Sequence, residues 1–409
     1  MFPRTPDGRL WCGFAPGSHF AYSNTGYELL GRLIERVTGE PHQSGVRRFV
    51  RDKLGLEGMA GVISTGARRQ FAVGYWPADD GAAAAFPGAP MEVASWNEED
   101  TPAGSLGADG ELMATYLRAL IRLGRGQGAP VLSDPAARRF VAPVIETGEF
   151  GPGARYACGV AVVPIDGAVC LHHTGGMMAF SSSFHADPAT GVACFASVNA
   201  RNEGYRPRQT TAYAVRLMRA ARAGKPLPTP PDPLAPYRFK GPSPLLGTFV
   251  SAAGEAVTLV AKGDGVRLIA RGGEYRVLPQ GPTRLVTDHP ALSRFGLDAV
   301  IQDGKAIGFW WGETLFSRDA PRPQPVPAER LRAFAGDYLN RDPWVGGATV
   351  LVRGDTLVID GLGPIVERGG WWSAEADVGG VERWRFDAVL NGKTHRLSRS
   401  GQDMWRITV

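Results

Sequence analysis

Residues 16–41 read PGSHFAYSNTGYELLGRLIERVTGEP, and three kinds of local physics meet in them. Gly17-Ser18 and Tyr22-Ser23-Asn24 make a polar, turn-prone lead-in. From Thr25 onward, Leu29, Leu30, Leu33, Ile34 and Val37 recur at three- and four-residue spacing, the period of an amphipathic helix. Thr25 with Glu28 three positions later has the form of a capping box, and Gly39 with Pro41 that of a helix stop. The spacing predicts a capped helix with its apolar stripe buried. Tyr22 and Asn24 would be held just ahead of its first turn, fixed in space as chemistry requires.

Around this stretch the chain runs to 409 residues, enough for two or three domains that each bury a core. It is 44% hydrophobic and 21% charged, an ordinary balance for a globular protein. No apolar run approaches the ~18 residues of a membrane-spanning helix. The net charge of +5 is spread along the chain with no dense basic block interleaved with aromatics, which argues against nucleic acid as a partner. Of the four cysteines, Cys12, Cys158, Cys170 and Cys194, none forms a C-x-x-C pair. Cys158, Cys170 and Cys194 lie in apolar strand-like runs and read as small buried hydrophobes. The opening MFPRTPDGRLW lacks the charged-then-apolar pattern of a leader peptide, so the default expectation is the cytoplasm, with a periplasmic or secreted protein the alternative if the natural start lies upstream.

Further along, Val46 to Leu54 is a short helix candidate, and GAAAAFPGAP from Gly81 is loop-like. In TPAGSLGADGELMATYLRALIRLGRG, from Thr101, Asp109 can cap a helix whose stripe is Leu112, Met113, Tyr116, Leu117, Leu120 and Ile121. Another helix starts at Ser133, with Asp134 and Pro135 in its first turn. Between Tyr156 and Ala200 the period changes: YACGVAVVP, AVCLHHTGG, SSSFHADP and GVACFASVNA are short runs between turns, and predict consecutive antiparallel strands. A helix over Thr210 to Ala223 closes this part.

Residues 224–244 then hold eight prolines, a semi-rigid spacer. Beyond it the pattern is all-β and repeats at an offset of about ninety residues, with Gly247-Thr248-Phe249 returning as Gly336-Asp337-Tyr338. A second spacer, PRPQPVP, divides the copies. Small closed barrels are the expected form, since closure removes strand edges.

Two constellations could carry chemistry. One is Tyr22-Ser23-Asn24, which alone reads as a turn. The other is His172-His173-Thr174-Gly175-Gly176, where glycines allow close approach of backbone to substrate and successive N–H groups can hold an oxyanion. Taken with residues 101–126 and in this order, they resemble the serine β-lactamase-like hydrolases, the family of class C β-lactamases, penicillin-binding carboxypeptidases, D-aminopeptidases and related esterases. The resemblance covers residues 14–222. It implies a multidomain α/β (α+β) and all-β chain: a β-lactamase/transpeptidase-like domain over 1–223, N-terminally incomplete, a Pro-rich linker over 224–244, and two small antiparallel β-barrel units in tandem at 245–320 and 329–409, parted by a spacer at 321–328. The tandem units resemble the two barrels that follow the catalytic domain in D-aminopeptidases.

The resemblance also implies roles. Tyr22 matches the tyrosine of the family's Tyr-x-Asn motif, which moves protons to and from nucleophile and leaving group, and Asn24 the asparagine that bonds the substrate carbonyl region. His173-Thr174-Gly175 matches the Lys-Thr-Gly strand in its His-x-Gly form, and the Gly176 N–H matches an oxyanion-hole donor. The departure is as informative. The family's nucleophile lies in a Ser-x-x-Lys helix upstream of Tyr-x-Asn, yet none of the six lysines here has serine three positions earlier. Ser23 and Ser181 to Ser183 are weak substitutes, and a zinc site from Cys170, His172 and Cys194 lacks a fourth ligand. Without the missing part, the sheet of 156–200 would expose an unpaired edge and an apolar face.

The expectation is therefore a serine hydrolase that forms an acyl-enzyme with an amide or ester, plausibly a D-amino-acid peptide or small ester. Its nucleophile motif is missing from this chain, so the chain alone is expected to be inactive. The alternative is a catalytically silent binding or scaffold protein that keeps the pocket. No metal or other cofactor is called for, and the partner is a small-molecule or peptide substrate. The runs Phe309-Trp310-Trp311 and Trp371-Trp372 read as barrel-core packing rather than a ligand site.

Overall fold

The computed structural model describes residues 14–78, 82–177, 179–200, 207–232, 238–239, 243–263, 265–342, 345–375 and 382–407. Cys12 and parts of the first proline-rich spacer, 233–237 and 240–242, lie outside these. The chain divides into two compact units, Pro16–Pro77 with Met91–Asp232, and Met1–Ala15 with Ala78–Pro90 and Pro233–Val409.

In the first unit α1 is Asn24–Thr38. Its cap is Ser23, not Thr25: Ser23 is extended (φ −144°) and its Oγ accepts the Gly26 N–H at 3.0 Å, so the cap and the helix start lie two residues before the positions the capping box suggests. Glu28 is not a capping partner; its carboxylate accepts a hydrogen bond from Thr101 Oγ1 instead. Gly39, at φ +73°, ends the helix and donates its N–H to the Glu35 carbonyl, as expected. The stripe, however, is not buried. Leu29, Leu30, Leu33, Ile34 and Val37 are 43–76% exposed, and Gly31 is the single buried residue of the helix. A Cβ on Gly31 would sit 2.1 Å from Pro102 Cγ, so the helix meets its own unit along a face the apolar period does not mark.

Next come α2 (His42–Val46), a π turn (Arg47–Arg51) and α3 (Asp52–Leu54). This segment starts four residues before the expected Val46, because Pro41 presets the first turn. After the short strands β1 (Tyr75–Pro77) and β2 (Met91–Val93), α4 (Gly110–Gly124) is capped by Asp109, which accepts the Leu112 N–H at 2.9 Å. It is followed by α5 (Asp134–Val141), capped by Ser133.

The strands β3 (Ile145–Glu146), β4 (Arg155–Tyr156), β5 (Ala161–Ile165), β6 (Ala168–Met177), β7 (Phe180–Asp187) and β8 (Val192–Val198) form one antiparallel sheet in sequence order. β8 lies at one end of the sheet, as the expectation of an open edge required, but among the described residues both faces of the sheet carry a helix. The helix α6 (Pro207–Arg222) packs on one side, burying Cys170, Val163 and Ile165 against Val215, and α4 packs Leu117, Leu120 and Ile121 against Leu171 and Ala186 on the other. Buried Asp187 clamps α6 through Arg219 Nε at 2.5 Å, while Arg219 also bonds the Ile165 carbonyl and Cys170 Sγ. Cys158 departs from its expectation: it lies in the bend between β4 and β5 and is exposed.

The second unit holds two closed eight-stranded antiparallel barrels, β9–β16 (from Gly247–Ser251 to Thr314–Arg318) and β17–β24 (from Gly336–Leu339 to Gln402–Arg406). Phe249, Phe309 and Phe316 fill the first, and Tyr338, Trp372 and Met404 the second. The repeat seen in the sequence has a shared device at the point of closure. Arg318, ending β16, donates to the carbonyls of Ala306, Leu246 and Pro244 with its guanidinium 4.7 Å over the Phe249 ring. Arg406, ending β24, does the same to Thr394, Ala335 and Ala333, 5.0 Å over the Tyr338 ring. A Cβ on Gly247 or Gly336 would meet the arginine at 2.2 Å, which is why glycine opens each copy. The barrels are tied together by Arg284, which bridges Asp298 and Asp360, and by Arg353, which returns to Asp298.

Replacing Arg406 by Met keeps the packing volume but leaves three backbone carbonyls without their donor. The R406M chain should lose about 2–4 kcal/mol in urea unfolding followed by tryptophan fluorescence; a change below about 0.5 kcal/mol would show that Arg406 does not latch the barrel.

Candidate active site

The site is built from the entry to α1, strand β4 and the far half of β6. In β6 side chains alternate, so His172 faces α6 and His173 the opposite side. The partner strand β5 pairs with β6 only as far as Ala161↔His172, so residues 173–177 bond to β7 alone and leave one backbone edge open. Gly175 lies against Ser182, whose Oγ is 2.5 Å from where a Cβ would stand, whereas Gly176 faces open space.

Of the residues predicted from the sequence, Tyr22 and His173 are brought together, their ring centroids 6.0 Å apart. Asn24 is the exposed first residue of α1. Thr174, Gly175 and Gly176 follow His173 along β6, all exposed. The His173 Nδ1–H donates to the Thr174 carbonyl at 2.7 Å, which leaves Nε2 to accept from the Tyr156 hydroxyl at 3.1 Å. Tyr156 is itself hydrogen-bonded to Tyr27, and Phe150 packs 5.5 Å from the imidazole.

The electrostatics follow from burial. Desolvation, then the nearness of Tyr27 and Glu149, raises the Tyr22 pKa above the ordinary tyrosine value. Burial first, then the bond to Tyr27, raises that of Tyr156 further. Burial lowers His173, partly offset by the Thr174 carbonyl. At neutral pH the cluster is thus two protonated phenols around a neutral imidazole, whose Nε2 accepts from Tyr156 and whose Nδ1–H is held by the Thr174 carbonyl.

Sequence reasoning missed Tyr156, Tyr27 and Phe150. A signal for Tyr156 was present: register counting across two hairpins sets Tyr156 opposite Ala161 and Ala161 opposite His172, one residue from His173. The serines weighed as substitutes have other tasks, since Ser23 caps α1 and Ser183 bonds Thr211 on the α6 side. On that side His172 stacks on His185 at 3.9 Å, and its Nδ1 donates to the Phe184 carbonyl. Cys170 Sγ is engaged by Arg219, and among the described residues no three His, Cys, Asp or Glu side chains cluster as a metal site.

The family model for β-lactamase matches residues 8–218, and the chain belongs to that family. Esterase EstB of Burkholderia gladioli is 30% identical over 212 residues, 47% of this chain and 52% of that protein. The chain thus spans about half the length of the curated relative it matches. Among solved structures, the octameric penicillin-binding protein homologue from Pyrococcus abyssi has 20% identity and a TM-score of 0.46, over 74% of this chain and 66% of that one. A D-stereospecific amidohydrolase from Streptomyces sp. has 22% identity and a TM-score of 0.39, over 52% and 57%.

The stacked histidines set a pH dependence. Burial holds His172 at about 4, and burial with the charges of His172 and Arg208 holds His185 at about 3. The unfolded chain takes up both protons near pH ~6.5, and the folded chain refuses them until well below. Stability is therefore complete above about pH 6.5 and falls on acidification, by up to ~1.4 kcal/mol per pH unit for each histidine. Urea midpoints at pH 7.5, 6 and 5 should show this slope, roughly halved in His185→Gln; an unchanged slope in that variant would contradict the assignment.

Proposed function

We propose that the chain carries the tyrosine and histidine portions of a serine hydrolase that acts on an amide or ester, with the nucleophilic serine and its lysine supplied by polypeptide outside these 409 residues. The observation that carries this reading is the exposed stripe of α1. Five large apolar side chains in a row, in a helix capped at both ends and immediately behind Tyr22, form a surface that a neighbouring helix would cover. The family's nucleophile stands on such a helix, and no Ser-x-x-Lys occurs in the chain.

In the completed site the serine Oγ would attack the substrate carbonyl carbon while its proton passes to the lysine amine. The Gly176 N–H would hold the oxyanion, with Asn24 against the carbonyl region. Tyr22, held protonated, would give its proton to the leaving alcohol or amine as the C–O or C–N bond breaks, and water would then release the acyl group. His173 would support Tyr22 and the substrate as a neutral group. The name of the relative Esterase EstB supports a small ester as substrate, with a D-amino-acid peptide the other member of the class.

A second reading keeps the pocket without the nucleophile, as a binding or scaffold protein; the missing Ser-x-x-Lys favours it as much as the first. The first of three measurements tests both readings, and the other two separate them. The purified 409-residue chain should take no label from a fluorophosphonate probe, and labelling would refute both readings. The DNA upstream of the Met1 codon should encode an in-frame Ser-x-x-Lys; a long open frame without it would leave only the binding protein. In a chain extended to include that motif, Leu33→Asp should cost about 2–4 kcal/mol, against less than about 0.5 kcal/mol in the 409-residue chain, because only the former buries the position.

A further inference from the structure

Residues 321–328, PRPQPVPA, read as a spacer between the barrels, yet they are bonded to both. Gln324 holds the first barrel as a peptide unit would. Its Oε1 accepts the Leu315 N–H at 2.8 Å, and its Nε2–H donates to the Leu315 carbonyl at 2.7 Å. Further on, the Ala328 N–H donates to the Gly354 carbonyl at 2.8 Å, in the turn between β18 (Gly347–Arg353) and β19 (Thr356–Ile359) of the second barrel.

The barrels also bond directly. The Glu313 carboxylate of the first accepts the Val352 N–H of the second at 2.7 Å. Beside it, the Arg353 side chain is only 9% exposed, and its guanidinium is given over to the first barrel. Its Nε donates to the Gly312 carbonyl and its Nη2 to the Asp298 carboxylate, each at 2.8 Å, and the Trp310 ring lies 5.6 Å beneath. Asp298 and Trp310 belong to β14 (Leu297–Gln302) and β15 (Lys305–Trp311), where their neighbours Leu297 and Phe309 point into the core, so both face outward. Trp310 is therefore not the core packing its sequence suggested. Arg284 adds a bridge from Asp298 to Asp360 of the second barrel, at 2.7 and 2.8 Å. Two guanidinium groups thus face two carboxylates, and the joint carries no net charge. Leu351 and Val358, a cross-strand pair on the outer face of the second barrel, are 6% and 4% exposed, so water is shut out there too.

We infer that the tandem barrels form one rigid body, with Arg353 as its anchor, and that the spacer is a clamp rather than a hinge. An exposed ion pair between two domains contributes little and opens readily. A guanidinium withdrawn from water behaves differently, because leaving its place would strip a carbonyl, a carboxylate and an indole of their partner at once. Swinging about the spacer would also break the Arg284 bridge and the Glu313 and Gln324 bonds in the same step. The duplicated units therefore hold their loops at a fixed spacing and present one preformed surface. The joint lies wholly within the barrel unit, so it can be tested whatever the fate of the hydrolase reading.

Hydrogen–deuterium exchange on the intact 409-residue chain tests this. The Leu315 and Val352 N–H groups bond to side chains off their own sheets, and Ala328 lies in the spacer, so their protection reports the joint and not the barrels. In the unaltered chain all three amides should exchange at least about a hundredfold more slowly than in a free chain. In Arg353→Met all three should speed up together by about tenfold or more, while the core strands β10 (Ala256–Lys262) and β23 (Lys393–Arg399) change less than about threefold. Free-chain exchange at Ala328 in the unaltered chain would make the spacer a hinge and overturn the proposal. So would a rise confined to Val352 in R353M, or an equal rise in the core strands. The unaltered chain decides the hinge question even if R353M fails to fold.

Discussion

The parity of one strand governs the unit that carries the six-stranded sheet. Along β6 successive side chains go to opposite faces, so the neighbours His172 and His173 enter different environments. His172 is sealed beneath α6 and stacked on His185; His173 faces Tyr22 and accepts from Tyr156. The register that fixes this is set at the hairpin turn, where Asp166 and Gly167 both take positive φ, the pattern of a two-residue turn that matches the twist of the strands. A slip of one residue would exchange the two histidines and put a polar imidazole in each wrong place. The open edge of residues 173–177 belongs to the same constraint, because β5 ends its pairing at His172 and frees the backbone beside the glycines.

Helix α1 shows how local chemistry can shape an element that tertiary burial does not. The Ser23 cap, the left-handed Gly39 stop and the Thr38 hydroxyl on the Ile34 carbonyl satisfy its ends from within. Its geometry is therefore set although five apolar side chains remain in water. The cap also serves the site, since Ser23 must be extended to accept the Gly26 N–H, and that extension holds Tyr22 before the helix axis. The energetic conflict is confined to the stripe, where roughly 1.5–3 kcal/mol of burial per large side chain stays unrealised.

Much of this was legible in the sequence wherever the signal is local. Helix ends at Asp109, Ser133 and Gly39, the run of hairpins after Tyr156 and the duplicated barrel pattern all rest on contacts a few residues long or on a repeat. The approach of Tyr22 to His173 was carried by family resemblance rather than by spacing. Other features were closed to such reading for physical reasons. Ser23 and Thr25 are both competent caps, and only backbone angles choose between them. An apolar stripe declares that a helix has a face, not what covers it. Cys158 sits in an apolar run but at a bend, where the strand turns it outward. The arginine latches join the last strand of each barrel to carbonyls some seventy residues earlier, at Leu246 and Ala335, and no local pattern marks them.

The tyrosine cluster carries its own argument about what completes it. A phenol acts as a base only when its anion is stabilised, and stabilisation in a half-buried site needs a positive charge within a few ångströms. Here every influence on Tyr22 runs the other way: burial, a second phenol and the Glu149 carboxylate all favour the protonated form. His173 cannot supply the charge, since burial keeps it neutral and both its nitrogens are engaged. The phenols of the site can therefore donate protons but not accept them. A lysine brought beside Tyr22 and one helical turn from a serine would, as the neutral amine, take the serine proton, and, once charged, would reverse that balance. The exposed stripe and the raised phenol thus support the proposed lysine-bearing helix from two sides, by packing in the first case and by charge in the second.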